Sequence, residues 1–217
     1  MKKSKINFLN PFLLVICVII FSIFSCSNLD KKEMIANSGD SGSIALPFPM
    51  EHYEEALDGR LILLISKQAE TEPRFQLRDD SKTCQGFGMD IDDWKPEEMQ
   101  QFDLNAFGYP IANFKDLPSG EFFVQVLFHK YETFNRADGH VVKLPMDRGE
   151  GQQWNRAPGN LYSTPQKVTI KNGKFSSLTI KLDQKIPPIN APEDTKYIKH
   201  IKIKSKLFDL NENVRLH

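Results

Sequence analysis

Apolar residues follow two regimes along this chain. From Phe12 to Phe24 they form one run interrupted only by Ser22, whereas beyond Ile44 they come in short stretches of period close to two, punctuated by Gly, Pro and polar residues. The first run is shorter than the roughly 20 apolar residues that span a bilayer. It lies between the basic Lys2, Lys3 and Lys5 and a small-residue site at Ser25-Cys26, the layout of an export signal. The second regime predicts strands, because alternation places every other side chain on one face of a sheet, and no stretch past Ile44 sustains a helical period.

The clearest expected strands are 60–66, nearly continuous in Leu and Ile and therefore central, and 121–128. Further strands are expected at 44–48, 74–77, 87–91, 141–144, 166–170, 178–182 and 198–203. Single helical turns are expected at 96–101 and 113–117. Asn172-Gly173 supplies the two positive-φ positions of a type I′ hairpin turn between 168–170 and 178–180. Leu117-Pro118-Ser119-Gly120 is a Pro-fixed turn that feeds the strand after it. The spacing gives an all-β class: an antiparallel sandwich, immunoglobulin-like or prealbumin-like, over residues 44–205. The chain divides into a signal at 1–25, a lipidated cysteine and tether at 26–43, the sandwich, and a tail at 206–217.

Cysteine usage supports an exported location. Of three cysteines, Cys17 falls in the signal. Ile23-Phe24-Ser25-Cys26 is similar to a lipobox, in which the cysteine takes a diacylglyceryl group, and Phe24 is bulkier than that pattern usually has. Cys84 is left with no intramolecular partner, so the exported part must be stabilised by a core rather than by disulfides. About 190 residues suffice for one such domain. The stretch 27–43, ending in Asn37-Ser38-Gly39-Asp40-Ser41-Gly42-Ser43, is too polar to bury a core and reads as a flexible tether with a reach of roughly 20 to 25 Å.

Charge excludes one broad class. Lys plus Arg and Asp plus Glu number 28 each, and without Lys2, Lys3 and Lys5 the exported part is slightly acidic with no long single-sign block, which does not suit a nucleic-acid binder. The Gly-x-Ser-x-Gly elbow, the His-Glu-x-x-His zinc helix, Cys-x-x-Cys and the Gly-rich phosphate loop are all missing from the sequence. No cofactor and no metal are expected. His129, Asp138 and His140 are better read as part of a strand-turn-strand through Asn135-Arg136-Ala137-Asp138-Gly139 than as ligands. Asp90, Asp92 and Asp93 lack the Gly and distal Glu of a calcium loop.

The densest polar and aromatic stretch runs from His129 to Tyr162 and makes a candidate binding loop. Tyr131, Trp154 and Tyr162 would stack on a ligand ring, and Asn155, Asn160 and His140 are further candidate contacts for a glycan or peptide. The alternative is a loop that folds back and buries Trp154 and Tyr162 beside the core. Ile186-Pro187-Pro188-Ile189 is an extended, donor-poor spacer or edge strand.

The segments DGRLILLIS, EPRFQL, FGMDIDDW, FGYP, DLPSGEFFVQ, YETFNRADGHVVKLP, DRGEGQQWNRAPGNLYS, IPPI and DTKYIKHIKIKS, in that order, resemble the N-terminal region of bacterial esterase-like proteins. In that family a β-sandwich region precedes an α/β-hydrolase-type domain similar to the enterochelin esterases. The resemblance covers Gly59 to about Ser205. It implies a sandwich whose usual neighbour carries the nucleophile, acid and histidine, and no position of this sequence matches those three. The expectation is therefore a non-catalytic accessory or ligand-binding module, held to the membrane through a lipid on Cys26 and facing the cell envelope, with a hydrolase domain or another envelope protein as partner. A truncated member of the esterase-like family and a glycan-binding lipoprotein are the alternatives.

Overall fold

The computed structural model describes residues 42–190 and 192–199, and the strands at 202–204 and 213–215 by their backbone. The expected signal, Cys26 and most of the tether lie outside the described residues. The protein is an all-β sandwich with no α-helix among the described residues.

Its centre is set by two long strands. β2 (Leu57–Ser66) and β6 (Gly120–Lys130) pair antiparallel from Gly59 opposite Lys130 to Ser66 opposite Phe123. Both are buried on both faces over 63–66 and 124–128, where their apolar runs are most continuous. β3 (Gln85–Trp94) pairs with the other side of β2. β5 (Gly108–Tyr109) adds to β3. The free side of β6 is shared: β10 (Gln166–Ile170) takes its first half, and β9 (Leu161–Tyr162), followed by β12 (Gln184–Lys185), takes its second.

A small sheet of β11 (Leu178–Thr179), β1 (Ile44–Pro47) and β4 (Met99–Gln101) covers one face. The main core lies there, with Ile44, Leu46 and Phe48 packed in one cluster with Leu61, Leu63, Ile65, Phe122, Val124, Val126 and Phe128. Trp94 is fully buried in this cluster. Phe48 and Phe128 meet it edge-on, at centroid distances of 5.5 and 5.7 Å, and its indole N–H donates to Glu98 O at 3.2 Å.

β7 (Glu132–Asn135) and β8 (Val141–Leu144) form a separate two-stranded hairpin. Its turn is the expected one: Asp138 accepts from His140 N at 3.1 Å, and Gly139 adopts φ 83°. β13 (Lys202–Lys204) and β14 (Asn213–Arg215) pair antiparallel.

Several expectations need correction. Residues 74–77 are not a strand. Pro73 opens a 3₁₀ turn, Pro73–Phe75, and the N–H of Arg74 goes to the side chain of Gln125 instead of a ladder. Residues 96–101 hold no helical turn: a reverse turn at Lys95–Glu98, with Glu97 at φ 68°, leads into β4. The single helical turn expected at 113–117 is present as a 3₁₀ turn, Phe114–Asp116. Asn172 and Gly173 do adopt positive φ, 51° and 71°, closing Lys171 against Lys174. The arms then diverge, because β10 stays on β6 while β11 joins β1, and this last pairing is parallel. The expected strand 178–182 shortens to β11, and 198–203 to Lys202–Lys204 with Thr195–Ile198 in a turn. The tether's last residues are engaged: Ser43 N donates to Ser177 Oγ at 3.1 Å.

Gly59 marks the tightest point of the central pairing. A Cβ there would lie 2.3 Å from His129 O and 2.7 Å from Phe128 Cζ, and neither the backbone of β6 nor a core ring can yield cheaply. Gly59→Ala is therefore expected to lower stability by about 2 to 3 kcal/mol; urea titration followed by tryptophan emission checks this, and an unchanged midpoint would contradict it.

Candidate functional site

The loop expected to bind a ligand folds back over the second face of the large sheet. Leu64 and Leu127, fully buried, point away from the main core together with Cys84, and Trp154, Tyr162, Ile62 and Leu77 pack over them. A polar residue sits in the middle of this face. Gln125 is fully buried on β6, and every group of its amide is paired. Its Oε1 accepts from Arg74 N at 3.0 Å, and its Nε2 donates to Glu72 Oε2 and to Ser163 O, each at 2.8 Å.

Arg74 continues the same network. Its guanidinium lies 3.9 Å from the Tyr162 ring centroid and 4.2 Å from that of Phe75, forms a 2.8 Å ion pair with Glu72, and donates to Asn155 O at 2.9 Å. Burial pushes the Glu72 carboxyl up, but hydrogen bonds from Arg74 and Gln125 outweigh it and hold the group below its ordinary value. Asn155 returns a bond from Nδ2 to Arg74 O at 3.1 Å. Asn160 accepts from Lys130 N at 3.0 Å and donates to Trp154 O at 2.8 Å.

The six candidate contact residues are thus separated. Trp154, Asn155 and Tyr162 line the second face and tie the loop to the 72–77 segment. Tyr131 is half-buried, edge-on to His129 at 5.6 Å. His140 is exposed at the tip of the β7–β8 hairpin beside Asp138. Asn160 borders a cleft.

That cleft, of about 410 Å³, opens where the end of β6, the loop before β9 and the segment after β12 meet. His129 and Lys130 come from β6, Met146 and Arg148 from the loop, and Lys185, Ile186, Pro188 and Ile189 from the last segment. Tyr53 closes one side. Its hydroxyl donates to Gly159 O at 2.7 Å, and Lys185 Nζ lies 4.1 Å from its ring centroid and Lys130 Nζ 5.8 Å. Glu132 pairs with both Lys130 and Arg148. Burial, with Arg148 adding to it, lowers the Lys130 pKa against the opposing pull of Asp58 and Glu55, and burial lowers that of His129.

No protein-family model, curated protein or solved structure matches this chain. Among the described residues no group of three or more His, Cys, Asp or Glu is placed to hold a metal ion, and no helix is long and apolar enough to cross a membrane. Asp90, Asp92 and Asp93 each face a cation instead: Arg60 at 2.7 Å, Lys143 at 3.0 Å and Lys95 at 3.3 Å.

Lys130 and Arg148 fall within the stretch expected to bind, but Tyr53 and Lys185, which lie outside it on either side, were not legible with them as one site. A second local signal was Ile186-Pro187-Pro188-Ile189. Its missing N–H donors leave an extended strip that forms a wall, with Ile186 N donating to Asn160 O and Gly159 N donating to Ile186 O, each at 2.9 Å.

Two measurements check this arrangement. Gln125→Leu leaves Arg74 N and Ser163 O without their partner, so at about 1 to 3 kcal/mol for a buried group left unpaired the variant is expected to lose at least about 2 kcal/mol; equal stability would contradict the network. Cys84 donates to Pro73 O at 3.4 Å, and burial pushes its thiol up to about 12. A raised folded-state value means that its contribution to stability is complete at neutral pH and is lost as pH climbs above the ordinary thiol range toward about 12. Iodoacetamide at pH 8 is expected to leave Cys84 unmodified in peptide maps of the native protein and to modify it once urea unfolds the chain.

Proposed function

We propose that this chain is an exported, lipid-anchored, non-catalytic β-sandwich module that presents a ligand-binding cleft at the cell envelope. The observation that carries the ligand-binding part is the cleft beside Tyr53, whose volume of about 410 Å³ falls in the range of small-molecule sites. It combines an apolar wall at Met146, Ile186 and Ile189 with convergent cations. No serine, threonine, cysteine or carboxylate is among its lining residues, and the Tyr53 hydroxyl donates to a backbone carbonyl rather than to a base. Binding suits such a lining better than nucleophilic chemistry.

The anchoring part rests on the basic start, the apolar run and Ser25-Cys26. A second acyl chain makes attachment lasting where one chain holds only marginally. The cleft is favoured over the Trp154 and Tyr162 loop as the binding surface because those rings lie against Leu64 and Leu127, and Arg74 covers Tyr162.

Expression of the full chain in a bacterial host, with fractionation and intact-mass measurement, tests the anchor. The parent protein is expected in the membrane pellet after a high-salt wash, with a mass that starts at Cys26 and includes diacylglycerol. Cys26→Ser is expected to lose the lipid mass and shift at least tenfold toward the soluble fraction. A parent mass that retains Met1, or equal partition of the two, contradicts the proposal.

A further inference from the structure

We propose that the Tyr53 cleft takes a small organic anion, its acidic group held by Arg148, Lys185 and Lys130 and its apolar body lying against Met146, Ile186 and Ile189. The inference rests on the ligand-binding reading above and adds the chemical class of the ligand. Lys185 and Lys130 approach the ring of the half-buried Tyr53, Arg148 lines the same cleft, and Glu132 pairs with Lys130 and Arg148. Among the described residues, Lys185 Nζ meets the Tyr53 ring and His52 O at 3.5 Å and no carboxylate. The lining itself holds these three cations and no carboxylate beside an apolar wall, with Glu132, Asp58 and Glu55 acting on them from outside it. Like charges gathered at a partly buried site raise its energy, and an arriving anion relieves that repulsion as well as pairing with the cations.

The geometry also limits the ligand. Arg148 offers a planar fork suited to a carboxylate or phosphate, and Lys185, over the ring, contributes a point charge. The Pro-containing wall has few N–H donors, so the body of the ligand meets methyl and methylene groups instead of hydrogen-bonding partners. An extended, many-hydroxyl ligand would find little to pair with there. A compact apolar body with one acidic group fits both halves of the lining.

Binding of 4-fluorobenzoate and of its uncharged counterpart 4-fluorobenzamide to the detergent-solubilised full chain, read by fluorine NMR titration, tests this directly. The acid is expected to bind at least tenfold more tightly than the amide. Arg148→Gln and Lys185→Gln should each weaken the acid at least threefold while leaving the amide alone, and Lys167→Gln, a cation paired with Glu121 on β10, should leave both unchanged. Superimposable melting curves establish that the variants are folded. Equal affinity for acid and amide, with both weakened by Ile189→Asp, overturns the anion inference and keeps the cleft as a binding site. No saturable binding of either probe overturns both. Loss of acid binding in Lys167→Gln to the same extent as in Arg148→Gln overturns the assignment to the cleft.

Discussion

Everything in this sandwich depends on β2 and β6 being buried on both faces. A sheet with one wet face needs a single partner layer, whereas a doubly buried pair needs two covers. The small sheet provides the first, through Ile44, Leu46 and Phe48. Among the described residues no second sheet covers the other face. Leu64 and Leu127 are sealed by irregular chain, the 3₁₀ segment around Arg74 and the loop carrying Trp154 and Tyr162. Irregular chain brings backbone polar groups that no ladder satisfies. The buried amide of Gln125 answers that need, joining Arg74 N, Glu72 and Ser163 to a central strand.

The same cover produces the cleft. Because Asn160 holds the loop to Lys130 N and Gly159 and Ile186 exchange backbone bonds with their neighbours, the loop and the Ile186–Ile189 strip are fixed at a set distance from the end of β6. Tyr53 fills part of the gap and meets the loop at Gly159 O. What remains open is bordered by cations, since Lys130, Arg148 and Lys185 sit where long side chains reach from the rim over an apolar floor. The proposed ligand site is thus a consequence of how the second face is covered.

Much of this was readable in the residues. A continuous Leu and Ile run identified β2 as central, period-two stretches identified β6 and β10, and the Asp138-Gly139 and Asn172-Gly173 turns appeared where positive φ was called for. The failures share a cause. Arg74–Leu77 has strand-like alternation, but its N–H groups serve a side chain and a 3₁₀ turn, and no local pattern shows a partner 51 positions away. Asn172-Gly173 announces a turn without saying that its second arm will cross to the other sheet. The loop from His129 to Tyr162 looked like a surface because it is rich in Asn, Arg and aromatic residues. Those residue types also make a hydrogen-bonded cover over a sheet, and composition does not distinguish the two uses.

Hydrogen exchange of the native full chain, resolved by mass spectrometry to short peptides, tests most directly whether that loop is a fixed cover. The amides of Arg156, Gly159, Asn160 and Ser163 each donate to a backbone carbonyl of the chain. Peptides over 156–163 are predicted to exchange at least a hundredfold more slowly than the hairpin tip at 137–138. Exchange of 156–163 at the rate of an unstructured peptide would contradict the account, because a mobile loop could neither seal Leu64 and Leu127 nor hold the cleft open.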